Sequence, residues 1–143
     1  MNLNAVFDTN VLISGILWRG IPFKLLRWAE EGSLQICTSL EILAEVHRVL
    51  HYHKFQQYID NQQASPGELF AKIASLCTII QTDQVVKGVC SDPDDEIFLS
   101  CALAANIGVL VSGDKHLLAL KKYQNVRILT AREFYQENIH RVT

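Results

Sequence analysis

Leu3-Asn4-Ala5-Val6-Phe7-Asp8-Thr9-Asn10 begins the chain with a short strand-like run that passes directly into a turn-and-cap cluster. Residues 11–18 then read as a short helix, broken by Arg19-Gly20-Ile21-Pro22. The same order returns late in the chain. Gly108 stops a helix, Val109-Leu110-Val111 is a buried-type strand, and Ser112-Gly113-Asp114 leads into a short helix over 115–120 that Asp114 can cap. Between these two units, residues 34–37 and 77–82 read as strands, and residues 126–129 as the last one. Helices are expected over 23–31, behind a capping box at Thr38-Ser39-Leu40-Glu41 with Thr38 as N-cap, over 53–63, from Pro66 onward, from Pro93 to about Asn106, and over 131–139. Ile42, Val46, Val49 and Leu50 share one face of the second of these, and Leu69, Ile73 and Leu76 one face of the helix after Pro66. Strands alternating with helices predict an α/β fold of three layers, α/β/α, with a mainly parallel central sheet.

Composition narrows the class. The 143 residues fit one compact domain spanning 1–143, and that length can bury enough surface to need no disulfide or metal staple. With 49% apolar residues, three prolines and seven glycines, a disordered or low-complexity chain is excluded. Apolar runs are only a few residues long, so no membrane span is expected, and residues 1–7 lack the features of a cleaved leader; a cytosolic location is the expectation. A formal net charge of −2 lacks the basic footprint of a general DNA-binding protein. Cys37, Cys77, Cys90 and Cys101 form no C-x-x-C pair and read as small buried apolar side chains. His47 and His51 have the i, i+4 spacing of a helical zinc pair, but no acid or cysteine ligand follows at a suitable spacing, so a polar helix end is the better reading. Leu17, Trp18, Phe23 and Trp28 suit either the core or an apolar patch for a partner.

The acids carry the chemistry. In open parallel sheets, ligands bind outside the carboxyl ends of the strands. Asp8 and Asp114 each stand just past such an end, Asp92, Asp94 and Asp95 crowd the start of the alanine-rich helix, and Glu45 lies in the second turn of the helix after the second strand. Each also has a local use. Asp8, Asp92 and Asp114 suit helix caps, Asp94 and Asp95 suit the first turn's dipole, and Glu45 suits a solvated helix face paired with Arg48. Asp95 shares a face with Phe98, Leu99 and Ala102, so it projects from the packed side. If these acids converge, their repulsion calls for a hard dication such as Mg²⁺ or Mn²⁺, whose use would be phosphodiester hydrolysis. No P-loop, dinucleotide fingerprint or Ser-His-Asp order competes.

At this point four stretches together resemble PIN-domain nucleases, in particular the small prokaryotic PIN proteins of toxin–antitoxin modules. They are Val6-Phe7-Asp8-Thr9-Asn10-Val11, Ser39-Leu40-Glu41-Ile42-Leu43-Ala44-Glu45-Val46, Ser91-Asp92-Pro93-Asp94-Asp95-Glu96, and Val109-Leu110-Val111-Ser112-Gly113-Asp114, with Ile128-Leu129-Thr130-Ala131-Arg132-Glu133-Phe134 as a fitting close. The resemblance implies metal-dependent cleavage of single-stranded RNA, with Mg²⁺ or Mn²⁺ as cofactor. It implies Asp8, Glu45, Asp95 and Asp114 as metal ligands and catalytic acids, with Asp95 preferred to Asp94 because it stands seven residues before the small residue Ala102. Thr9, Asn10 and Ser112 would support the site by hydrogen bonds, Asp94 as an outer acid, and Lys115 and His116 would touch the RNA backbone. Ser112 stands where many members have Thr, and keeps the hydroxyl. A homodimer or higher oligomer and a small antitoxin protein are the implied partners. A non-catalytic PIN-like module that binds RNA or protein is the alternative. An aspartate-nucleophile phosphatase is disfavoured, because Asn10 occupies the place of its second acid.

Overall fold

A computed structural model describes residues 3–83 and 85–142. Six strands form one sheet: β1 (Leu3–Phe7), β2 (Leu34–Thr38), β3 (Cys77–Ile79), β4 (Val109–Val111), β5 (Lys122–Tyr123) and β6 (Val126–Leu129), in the order β3-β2-β1-β4-β6-β5. Every pairing is parallel except the β5–β6 edge. Ala5, Val6 and Phe7 are all fully buried. Because consecutive strand residues point to opposite faces, both faces of the sheet are covered, which is the three-layer arrangement expected for parallel strands.

Eight helices surround it among the described residues: α1 (Thr9–Leu17), α2 (Ile21–Glu30), α3 (Leu40–Leu50), α4 (His53–Asn61), α5 (Pro66–Leu76), α6 (Glu96–Ala104), α7 (Lys115–Leu120) and α8 (Ala131–Val142). α6 packs against β1, β2, β4 and β6, while α8 packs on β6 and α2. Phe134 of α8 meets Phe7 edge to face at 6.3 Å, the favoured geometry for an aromatic pair. Ile42, Val46, Val49, Leu50, Leu69 and Ile73 are buried, as the helical periodicity predicts.

Four local expectations need correction. Thr38 does not cap α3. It is still in the ladder, where its carbonyl accepts from Ile80 N at 2.7 Å, and the cap is Ser39, whose Oγ accepts from Ile42 N at 3.2 Å. With Ile42 three residues on, there is no capping box there; reciprocal boxes form instead at Ser65 with Glu68 and at Thr130 with Glu133. Asp92 caps a 3₁₀ turn over Pro93–Asp95, and α6 begins one residue later. β3 ends at Ile79, and α8 continues to Val142.

α1 and α2 are brought together at Gly15. A Cβ there would lie 2.6 Å from Leu26 Cδ1, 2.7 Å from Leu26 Cγ and 3.0 Å from the Pro22 carbonyl oxygen. Gly15→Ala is therefore expected to destabilise the fold by about 1–2 kcal/mol, overpacking outweighing the gain in helix propensity. Urea unfolding checks this, and an unchanged midpoint would refute the close approach.

Candidate active site

The order β2-β1-β4-β6 makes β1 and β4 the point where the chain's crossovers diverge to either side of the sheet. Crevices open outside the carboxyl ends of strands at such switch points. Val6 pairs with Leu110 and Phe7 with Val111, so the two strands end level. Asp8 follows directly, its N–H donating to Val111 O at 3.0 Å, and Asp114 follows β4 after Ser112-Gly113.

Asp8 is 3% exposed. Its Oδ1 accepts from Val11 N at 2.8 Å, capping α1, and its Oδ2 accepts from Ser112 Oγ at 2.5 Å and Gly113 N at 3.3 Å. Burial raises its pKa, the three donors pull it back, and the Asp114 charge raises it again. Ser112 Oγ also accepts from Asp114 N at 3.0 Å, so one buried hydroxyl links the two loops. Asp114 caps α7 through His116 N at 2.8 Å and Leu117 N at 3.1 Å. Cap and candidate ligand are thus the same side chains; a carboxylate has lone pairs enough for both.

Asp95 ends the 3₁₀ turn and is half-buried. Its pKa is pushed up to about 6, first by burial and then by the charges of Asp114, Asp92, Glu45 and Asp8. Glu45, half-buried on α3, is raised by burial and by Asp94 and Asp8, against the pull of Arg48 and of the Thr9 hydroxyl. Asp8, Glu45, Asp95 and Asp114 therefore lie within one another's electrostatic reach, with Asp94 beside Glu45. Among the described residues, however, no three His, Cys, Asp or Glu side chains stand in a group close enough to hold a metal ion.

The donor chemistry fits a hard cation all the same. The acids offer only oxygen, and they repel one another. Asn10 is exposed and its side chain makes no hydrogen bond among the described residues; Lys115 and His116 are exposed in the first turn of α7. Arg48 forms no ion pair with Glu45. It donates to the Tyr52 hydroxyl and lies over that ring, 5.7 Å from its centre.

Glu96 has a part that sequence reasoning overlooks. It is 6% exposed, and its Oε2 accepts from Val89 N at 2.6 Å and Cys90 N at 3.1 Å, which holds it ionised. Ser100 Oγ accepts from Val86 N at 2.8 Å and donates to Glu96 O at 2.9 Å. Together they tie the loop before Asp92 to α6, beside Asp95. The i, i+4 spacing of Glu96 and Ser100 on a face shared with Leu99 is the signal that finds them.

The remaining candidates separate. Trp18 packs on Tyr58 at 5.0 Å, whereas buried Trp28 stacks on Tyr135 at 5.1 Å, so the aromatic residues make no single patch. All four cysteines are free, and burial pushes Cys77 and Cys101 up to about 12, leaving inert thiols. His51 Nδ1 is engaged by His47 O at 2.8 Å. No helix among the described residues is long and apolar enough to cross a membrane.

An acidic crevice at the carboxyl ends of the central strands defines a class, and comparison with known proteins agrees. The profile of the PIN domain matches residues 4–116, and the chain belongs to that family, whose members are generally nucleases. Among solved structures it is similar to VapBC2 from Rickettsia felis, bound to a DNA fragment from its promoter (TM-score 0.57, 18% identity, covering 90% of this chain and 98% of that one). It is also similar to PAE2754 from Pyrobaculum aerophilum (TM-score 0.61, 14% identity, covering 98% and 99%). Comparison with curated proteins finds no match.

Proposed function

We propose that this chain is a metal-dependent endoribonuclease that hydrolyses single-stranded RNA, and that it serves as the toxin of a toxin–antitoxin pair. The observation that carries the reading is the placement of Asp8 and Asp114 at the level ends of β1 and β4, joined through Ser112 Oγ, with Glu45 and Asp95 within electrostatic reach; burial first, and then the neighbouring acids, push Asp95 up to about 6. Such crowding is stable at neutral pH when a cation offsets it. The four carboxylates would hold Mg²⁺ or Mn²⁺. When bound, the ion supplies the positive charge that makes water a nucleophile near neutral pH and offsets charge on the phosphate.

The chain's own residues do the rest. Ser112 and Gly113 fix one oxygen of Asp8 and Val11 N–H the other, so the carboxylate presents a set geometry. Glu96 and Ser100 hold the loop that borders Asp95. Lys115 and His116, exposed beside Asp114, contact the RNA backbone. The likeness to the VapBC2 complex supports a small antitoxin as partner. A homodimer or higher oligomer in the cytoplasm is the expected state.

Incubation of the purified protein with a labelled single-stranded RNA and Mn²⁺ tests the reading. Internal cuts that stop on addition of a chelator are expected. RNA that is bound but not cut would overturn the enzymatic reading in favour of a binding module.

A further inference from the structure

A cleft of about 390 Å³ opens beside the acids, across the segment that holds Asp8. Ser112 and Gly113 form its boundary with the carboxylate site, Ile21 and Pro22 at the start of α2 face them, and Ala131 and Arg132 at the start of α8 close the far side. Its volume is at the lower end of the ~300–1,000 Å³ common for small-molecule sites, room for about one nucleotide. The donors at the boundary are already engaged, because the Ser112 hydroxyl and Gly113 N–H both serve Asp8. No carboxylate lines the cleft. Glu133, one residue past it, turns back to accept from Thr130 N at 2.9 Å. Arg132 is exposed, and its guanidinium has no ion pair or hydrogen bond among the described residues. The lining therefore combines apolar walls and the neutral polar Asn10, Ser14 and Thr130 with a single formal charge, and that charge is positive.

We infer that this cleft seats the nucleotide flanking the scissile phosphate, its base against Ile21 and Pro22 and a backbone phosphate on the Arg132 guanidinium. The inference rests on the nuclease reading, which supplies the strand to be seated. A planar fork of donors suits a phosphate, and apolar side walls accept a base without reading its edges. The shared Ser112-Gly113 boundary sets this nucleotide next to the reacting centre.

The test is fluorescence anisotropy with a labelled single-stranded RNA of mixed sequence, over a range of salt, in an Asp8→Asn background that prevents cutting. Arg132→Ala is expected to weaken binding roughly three- to tenfold and to reduce the slope of log affinity against log salt by about 0.7, one phosphate contact on a single strand. Ala131→Leu, which narrows the cleft, should weaken binding and leave the slope unchanged. Lys54→Ala, outside the cleft, should change neither. Unaltered affinity and slope in Arg132→Ala would overturn the inference, as would an equal loss in Lys54→Ala, the mark of diffuse attraction. A parent protein that binds no RNA would overturn the nuclease reading and this one with it. Binding with the Arg132 signature by a chain that never cuts RNA would uphold the cleft and overturn the nuclease reading alone.

Discussion

Asp8→Asn is expected to lower RNA cleavage by at least roughly a hundredfold and to leave the fold standing. The contrast follows from what the side chain does twice. As a cap, Asp8 needs only an oxygen toward Val11 N, and asparagine caps a helix as well as aspartate does. The new amide meets Ser112 Oγ, which can turn its hydroxyl and accept. The Ser112 hydroxyl then loses its acceptor and the 3.3 Å bond from Gly113 N is lost, partly offset because one repelling charge leaves the cluster. Stability should therefore shift by no more than about 1 kcal/mol. In the proposed metal-ligand role, by contrast, a neutral amide cannot replace a carboxylate near a dication. Asp8→Ala should lose activity equally and also about 1–3 kcal/mol of stability, because it strips the α1 cap and leaves buried N–H groups unpaired. Cleavage rates and thermal melts of the two variants check both halves. Near wild-type cutting by Asp8→Asn would remove Asp8 from the chemistry.

The second large effect is a cation-dependent stability that varies with pH. Asp95 has a folded pKa of about 6 against 3.8 for an unperturbed aspartate, so the folded state binds protons more tightly than the unfolded one. Stability from that proton is fully present below about pH 4 and is lost as pH rises through 6. Asp8 and Glu45, also raised, act in the same direction. Glu96 and Glu133 are lowered and act the other way: what they contribute is lost only as pH falls below the usual glutamate range. Between pH 5 and 7.5 the acidic crevice therefore governs the slope, and the metal-free protein should lose on the order of 1 kcal/mol, allowing for solvent screening at half-exposed Asp95. Mn²⁺ at a hundred times its dissociation constant should restore about 2.7 kcal/mol at pH 7.5, a rise in melting temperature of roughly 5–10 °C. At pH 5 the rise should shrink, because protons compete for the same oxygens. An equal rise at both pH values, or one that survives in Asp8→Asn, would place the cation elsewhere.

Much of this architecture is legible in the sequence, for physical reasons. β1, β2 and β4 are sheet-central or nearly so, and apart from Asn4, Gln35 and Thr38 their residues are apolar, so each reads as a short apolar run bounded by turn residues. The acids at their ends are visible because strand ends are. Asp95 is distinguishable from Asp94 by its i+3, i+4 and i+7 spacing to Phe98, Leu99 and Ala102, and the structure leaves Asp94 exposed while half-burying Asp95. Other features depend on contacts distant in sequence. β5 is only Lys122-Tyr123, and the residues flanking it, Lys121 and Gln124, take left-handed φ values of 61° and 51° without glycine to announce a turn. Thr38 and Ser39 are both competent caps, and only pairing with β3 decides between them. A buried Glu96 contradicts the ordinary fate of glutamate, so burial is the last thing its identity suggests. Arg132 has a clearer signal: the Thr130–Glu133 box puts it in the first turn of a helix that follows a strand end, on the side where ligands gather.

Asp8, Glu45, Asp95 and Asp114 are proposed to act together as one cation site. Calorimetric titration of the purified protein with Mn²⁺ at pH 7.5 tests it most directly. Saturable binding of one or two ions per chain is expected, lost or weakened at least tenfold in Asp8→Asn and Asp114→Asn alike. Binding of the same strength in both variants, or none in the wild type, would contradict it.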